Sequence, residues 1–487
     1  MSLVGRKLAV VSAKCRAQAS GKLPGTERLF KSVAASQQES SSTPTHIAAS
    51  GQSLLHRSAK GGHFQTSRIA HASPSTSPIY ETTTNATTTS GWDPQAFDVS
   101  LLWLRDLCEC SRCVDPSTKQ KLFSTVDIPP NIQGTRLPSS DDAKITLRWT
   151  NDIVGYGNDH VTTLSTEMYS QNSRNSSGGP LFDIPARNLW LAQHFRAKCE
   201  DMDYEHYMQS DHSVLQALQQ LHTHGLLFLT NVPDSEKSVS AIVERIGPLK
   251  NTFYGSTWDV RSVPEAKNVA YTAQDLGFHM DLMYMQQPPH LQFLHCIRSS
   301  AAGGASLFTD SFRAARDLWV DDPDSVRNLA QLPVNFHYNH PELHYYHQSR
   351  RVVELKDGAS LDSLPSGEQG AKMLADAIRN VSWAPPFQAP FINPNAKKLE
   401  EISGETLIRW HAAARKFSEA VHQPAGIYER MMRPGECVIF DNRRVLHARR
   451  AFEVGDAGKE RWLRGAYMDE DPFLSKTKVM QKLQATV

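Results

Sequence analysis

Cys108, Cys110 and Cys113 place three of the chain's seven cysteines within six positions. Thiolate sulfurs this close can share one tetrahedral Zn²⁺ at about 2.3 Å, provided one further ligand arrives from elsewhere. Cysteine is otherwise sparse, which argues for a metal over three unpaired buried thiols. The odd total also argues against a secreted disulfide scaffold. His160 is the expected fourth ligand, with His194 and Cys199 as alternates. Four protein ligands close the coordination sphere, so the site is expected to be structural and to stabilise a small unit around it.

The whole chain cannot be that unit. At 487 residues it exceeds what one core ordinarily supports, roughly 250–300 residues, so two or three folded units are expected. Apolar runs such as Leu226–Leu229 fall far short of the about 20 residues that span a bilayer, which excludes an integral membrane protein of helical type. Residues 1–31 carry a net charge of +6, leaving −5 for the remainder of a chain whose total is +1. A mildly acidic body with no basic stripe is no match for nucleic acid.

The same counts divide the chain. Residues 1–31 are basic, hold no acid before Glu27 and lack the apolar stretch of a secretory signal, so they read as a mitochondrial transit peptide. The alternative is an untargeted basic tail on a cytoplasmic protein. Residues 32–90 turn to Ser and Thr, ending in the run Glu81–Ser90, and cannot bury enough apolar surface to order themselves. Order is expected from about Trp92. Over 91–180, short alternating runs such as Lys144–Trp149 point to a small zinc-binding β domain, closed off by the Ser/Asn/Gly-rich stretch Gln171–Gly179.

A larger domain is expected over 205–475. Ser213 can cap a helix carrying Leu215, Leu218 and Leu221, which stops at Gly225 and passes into the buried strand Leu226–Leu229. A second helix is expected over Glu405–His422. Elsewhere short strands dominate, among them Leu291–Ile297, Ala305–Phe308, Cys437–Phe440 and Trp462–Tyr467. The fold class is therefore mainly β with flanking helices, in a closed or double-sheet architecture.

Inside this domain, Phe278-His279-Met280-Asp281 contains an HxD, a weak motif alone. Two histidines and one carboxylate on one face of Fe(II) leave positions open for a chelating cosubstrate and O₂, and the second histidine must come from a distant strand. His447, at the end of Asp441–His447 after an apolar strand, is placed to supply it. Fourteen residues on, Arg461 opens the next strand, and its guanidinium fork suits a carboxylate. Ser306, after Gly303 and Gly304, adds a hydroxyl for the same anion. Any one of these residues taken alone would more often be a surface or core residue. Their joint spacing reverses that reading.

From Leu101 to Asp471 the chain resembles the gamma-butyrobetaine dioxygenase family of Fe(II)/2-oxoglutarate oxygenases, related to trimethyllysine and, more distantly, taurine dioxygenases. Trp103-Leu-Arg-Asp106 and the three cysteines match that family's zinc-binding N-terminal domain. Phe253–Trp258, Asn268–Thr272, His279–Asp281, Gly303–Gly304, Asp441–Asn442, His447 and Arg461 with Gly465–Tyr467 follow in the family's order. The resemblance implies a double-stranded β-helix (jelly-roll) catalytic domain. It implies Fe(II) on His279, Asp281 and His447, 2-oxoglutarate reaching Arg461, and hydroxylation of an unactivated C–H bond. It implies too that Tyr254, Trp258, Tyr271 and Tyr467 cage a trimethylammonium group and that Asn268 meets the substrate carboxylate. Ascorbate as a reductant and a homodimer accompany these expectations. Two departures stand out. Leu282 occupies a position that is aromatic in the animal enzymes, where Tyr284 could fill in, and Asn380–Phe391 differs from the segment carrying the family's second carboxylate-binding asparagine.

Gamma-butyrobetaine is thus the expected substrate. The rivals are a trimethyllysine dioxygenase or relative acting on another small molecule, and a non-catalytic zinc-stabilised β-barrel that only binds. The intact set His279, Asp281, His447 and Arg461 weighs against the last.

Overall fold

A computed structural model describes residues 100–165, 186–261, 273–300, 302–340, 342–391, 402–453 and 461–485. The expected transit peptide, the Ser/Thr-rich segment, the start of order near Trp92, the break at Gln171–Gly179, and both Asn268 and Tyr271 lie outside these residues. All described residues fall in the unit Ser90–Val487. Among them no helix is long and apolar enough to cross a membrane.

Strands β1 (Gln133–Leu137), β2 (Lys144–Thr150) and β3 (Val161–Ser165) form an antiparallel sheet in that order. The alternation read in β2 puts Ile145, Leu147 and Trp149 inward and their neighbours outward, as the two-residue period of a strand requires. They join Leu104, Ile128, Ile132, Ile153 and Leu164 in a core of their own. The indole of Trp149 donates to the Thr162 hydroxyl at 2.7 Å, so this largest core residue leaves no polar atom unmet.

The larger unit continues with β4 (Met202–Asp203), β5 (Leu226–Thr230), β6 (Thr257–Arg261), β7 (Leu276–His279), β8 (Leu291–Arg298) and β9 (Ser306–Asp310). A hairpin of β10 (Pro333–His340) and β11 (His344–Arg351) and the pair β12 (Val353–Leu355) and β13 (Ile378–Val381) follow. The last strands are β14 (Tyr428–Arg430), β15 (Glu436–Asp441), β16 (Val445–Arg449) and β17 (Trp462–Met468). Six strands order β4-β5-β15-β8-β17-β6 and four order β14-β9-β16-β7, so each sheet interleaves early and late strands. This is the double-stranded β-helix. Phe228 and Phe440 of the larger sheet meet Phe308 of the smaller at 5.8 and 5.5 Å between ring centroids. The two-residue edge strand β4 pairs parallel with β5, and the helix Glu470–Ala485 follows β17.

The helix before β5 spans Asp211–His224 and buries Val214, Leu215, Ala217, Leu218 and Leu221, each large aliphatic side chain contributing about 1.5–3 kcal/mol. Its cap is Ser210, not Ser213: the Ser210 hydroxyl accepts from the Ser213 backbone N–H, one turn earlier than the apolar spacing suggested. Gly225 ends it at φ 73°, a left-handed turn that turns the chain directly into β5. The helix expected at Glu405–His422 spans Gly404–Val421 and is capped by Ser403. At the far end of β9, the buried Arg444 guanidinium pairs with Asp310 at 2.8 Å and donates to the carbonyls of Thr223 and Asn188. That network fixes the β15–β16 turn against the helices and so fixes where β16 begins.

Candidate active site and metal centres

The cysteine cluster comes together as the sequence spacing suggested. Sγ of Cys108, Cys110 and Cys113 lie 3.5, 3.4 and 3.3 Å from Nε2 of His160. A tetrahedral zinc at about 2.3 Å from sulfur and about 2.0 Å from nitrogen would set these atoms roughly 3.5 Å apart, so the residues fit the ion. His194 lies in the helix Ala192–Lys198 and Cys199 caps its end; neither belongs to the cluster. Nδ1 of His160 is 2.6 Å from Asp152, whose other oxygen accepts from Arg105 at 2.7 Å, and Arg105 reaches Cys113 Sγ at 3.4 Å. Arg105 is fully enclosed between the rings of Phe123 and Tyr156, each 4.7 Å away. Burial raises the Cys113 thiol to about 12, so only a bound cation would keep all three sulfurs as thiolates.

The second cluster lies between the two sheets. His279 ends β7 and His447 sits mid-β16, and the two are direct register partners across the antiparallel pair. Their rings lie 4.1 Å apart. Asp281, two residues past the strand, brings Oδ1 to 3.4 Å from His279 Nε2 and 3.9 Å from His447 Nε2. One ligand atom from each residue falls within 4.8 Å of the others, compact enough for one ion. Nδ1 of His279 meets the Gly277 carbonyl at 2.9 Å, which leaves Nε2 as the lone-pair nitrogen facing the cluster. Burial and the neighbouring His279 push His447 down to about 3, so it is a neutral imidazole at physiological pH. Burial would raise the Asp281 carboxyl, but the hydrogen bonds from His279 and Tyr467, and the positive charge the two histidines carry when protonated, hold it well below the usual range. Two imidazoles and one carboxylate are the donor set that suits Fe(II).

Asn442, fully buried, grips the backbone of Asp281 on both sides: it accepts from the Asp281 N–H at 2.8 Å and donates to the Asp281 carbonyl at 3.0 Å. The next residue, Leu282, is held at φ 60°, a left-handed conformation that costs a non-glycine residue roughly 1–2 kcal/mol. The double hydrogen bond offsets that strain and aims the carboxylate. Tyr467 adds a further contact, donating its hydroxyl to Asp281 Oδ2 at 2.6 Å, so its role is wider than the cage ring expected of it.

The cluster opens into a pocket of about 820 Å³, counted out to its mouth. Tyr254, Trp258, Tyr284 and Tyr467 line it, with Leu282 and Phe387. Trp258 and Tyr467 stack at 3.9 Å, an arrangement that needs Gly465, where a β-carbon would fall 2.5 Å from the indole. Of the altered segment Asn380–Phe391, Phe387 enters this pocket, whereas Asn380 lines a separate polar one. At the opposite end stand Arg461 and Ser306, which are 5 % and 7 % exposed. Arg461 has no carboxylate partner among the described residues, and burial lowers it only to about 10, so it remains a cation in search of an anion. Two polar lining residues escaped the sequence reading. Arg449 follows His447 by two positions, and the alternation of a strand puts it on the same face. Gln292 lies on β8 with no motif to mark it.

Comparison with known proteins adds the following. Residues 189–467 match the family model described as taurine catabolism dioxygenase TauD, TfdA family, and residues 87–157 match that of gamma-butyrobetaine hydroxylase-like proteins, N-terminal. The chain is 34 % identical over 393 residues to "Dioxygenase str8" of Strobilurus tenacellus, covering 78 % of this chain and 84 % of that one. It is 30 % identical over 381 residues to the gamma-butyrobetaine dioxygenase of Pseudomonas sp. (strain AK-1), covering 78 % and 90 %. A trimethyllysine dioxygenase of Meyerozyma guilliermondii is 25 % identical over 392 residues, covering 78 % and 89 %.

Proposed function

The chain belongs to the TauD/TfdA dioxygenase family, as an Fe(II)- and 2-oxoglutarate-dependent dioxygenase of the gamma-butyrobetaine and trimethyllysine type, and from that premise we propose that it hydroxylates a small quaternary amine, gamma-butyrobetaine before others. His279, Asp281 and His447 hold the iron. Arg461, with Ser306, binds the far carboxylate of 2-oxoglutarate. Cys108, Cys110, Cys113 and His160 hold a structural zinc. With iron and 2-oxoglutarate bound, the site supplies O₂-dependent replacement of a substrate C–H by C–OH, as 2-oxoglutarate yields succinate and CO₂.

The protein's own residues do the rest. Asn442 and Tyr467 orient the Asp281 carboxylate, and Gly277 sets the His279 tautomer. Phe308, Leu294 and Leu463 keep water from the channel between the histidines and Arg461. One observation carries the substrate class. Six aromatic residues line the pocket, Tyr254, Trp258, Tyr284, Phe308, Phe387 and Tyr467, while the only acid among its described lining residues is Asp281, which the metal would occupy. A cation entering here has ring faces and no counter-carboxylate, each face contributing about 0.5–2 kcal/mol to a desolvated ammonium. The basic, nearly acid-free leader supports a mitochondrial location; a reporter fused to residues 1–31 that stays in the cytosol would exclude it.

The test is 2-oxoglutarate turnover with gamma-butyrobetaine, trimethyllysine and the tert-butyl isostere of each, which keeps shape and removes charge. Wild type should prefer the charged member, and Trp258→Leu should shrink that preference about tenfold. No preference in wild type would end the quaternary-amine reading and leave the oxygenase chemistry standing.

A further inference from the structure

Gln292 is 2 % exposed, lines the active-site pocket, and makes no hydrogen bond to any described residue; its side-chain oxygen is enclosed without a partner. A buried amide oxygen left this way is unfavourable, so it marks a place where a ligand completes the structure. Its position says which part of which ligand. In the β8–β17 register Gln292 stands opposite Tyr467, on the same face of the sheet, and the Tyr467 hydroxyl touches Asp281. Arg461 lies before the other end of β17, six positions away, or roughly 20 Å of strand. Gln292 therefore serves the metal end of the pocket and cannot share the carboxylate that Arg461 binds.

The direction of the hydrogen bond follows from ligand chemistry. Neither 2-oxoglutarate nor a fully alkylated betaine carries an N–H or O–H at neutral pH; both offer only acceptors. An amide can present either edge after a half-turn of its last torsion, so the edge turned to the ligand is the NH₂. We propose that Gln292 binds 2-oxoglutarate by donating its amide N–H to the carboxylate of the keto-acid end, the group that leaves as CO₂. The proposal rests on the iron assignment to His279, Asp281 and His447 and is independent of the quaternary-amine reading.

The experiment is anaerobic calorimetry on the full chain loaded with Fe(II), titrated with 2-oxoglutarate and, separately, with 4-oxobutanoate, which is the same skeleton without that carboxylate. Gln292→Leu and the length-preserving Gln292→Met should each weaken 2-oxoglutarate about tenfold, the loss of one hydrogen bond to a charged acceptor, and leave 4-oxobutanoate unchanged. Gln292→Glu, an acceptor only, should bind 2-oxoglutarate more weakly still. Three results would overturn the proposal: unchanged 2-oxoglutarate affinity in both Leu and Met variants, equal weakening of 2-oxoglutarate and 4-oxobutanoate, or a Glu variant that binds like wild type. Metal-independent binding of 2-oxoglutarate by wild type is a separate outcome; it removes the iron assignment itself, and the proposal with it.

Discussion

The two metal-type clusters are built from overlapping residue types and differ in what surrounds them. Around Cys108, Cys110, Cys113 and His160 the donors are complete: Asp152 holds the free nitrogen of His160, and Arg105 bridges Asp152 to Cys113. One buried nitrogen, Arg105 Nη2, is left without a hydrogen-bond partner, but no donor position around the four ligands stays open. Around His279, Asp281 and His447 the three donors converge from one side only, and the pocket beyond holds a buried cation without a described carboxylate partner, Arg461, and an amide without a partner, Gln292. A closed set of four ligands holds a fold together, whereas an incomplete set of three facing a pocket marks where chemistry enters.

Mutations can separate the two. Asp281→Ala removes the only anionic donor of the open cluster and should lower turnover by at least about a hundredfold, with zinc content and melting temperature kept. Near wild-type turnover in that variant would refute the triad. Cys110→Ser should do the reverse: zinc below one equivalent by elemental analysis and a melting temperature lower by several degrees, with iron binding retained. Asp152→Asn leaves every zinc ligand in place and should weaken zinc about 10–100-fold, read by competition with a chelator; a smaller loss would mean that the surrounding shell contributes little. Arg461→Ala should raise the 2-oxoglutarate requirement about tenfold and the substrate requirement far less. Equal shifts would show that the pocket lacks the two distinct ends drawn here.

Much of this was legible in the sequence because it is local. A strand's two-residue period exposes Ile145, Leu147 and Trp149, and the cysteine spacing announces the ligand cluster that His160 joins. The helix before β5 could be read to its left-handed stop at Gly225, but its start was misplaced by three residues, since Ser210 and Ser213 are equally good caps in one dimension. What stayed hidden depends on partners far along the chain. Asn442 acts on the backbone of a residue 161 positions away. Gln292 is one more polar side chain in an apolar strand until the sheet turns it inward. Tyr467 could be read as a ring, but not as the donor to Asp281, because that bond requires β17 and the turn after β7 to meet.

The pairing of His279 with His447 in the ladder between β7 and β16 also bears on how the protein reaches its native state. The zinc-type ligands are gathered over residues 108–160 by closing one modest loop, so an ion can bind early and organise the chain around it. The iron-type histidines are 168 residues apart and meet only after both sheets have interleaved, which makes their encounter a high-contact-order event. Iron therefore cannot seed this barrel. In refolding, its uptake should follow the appearance of native sheet and can serve as the signal that assembly is finished.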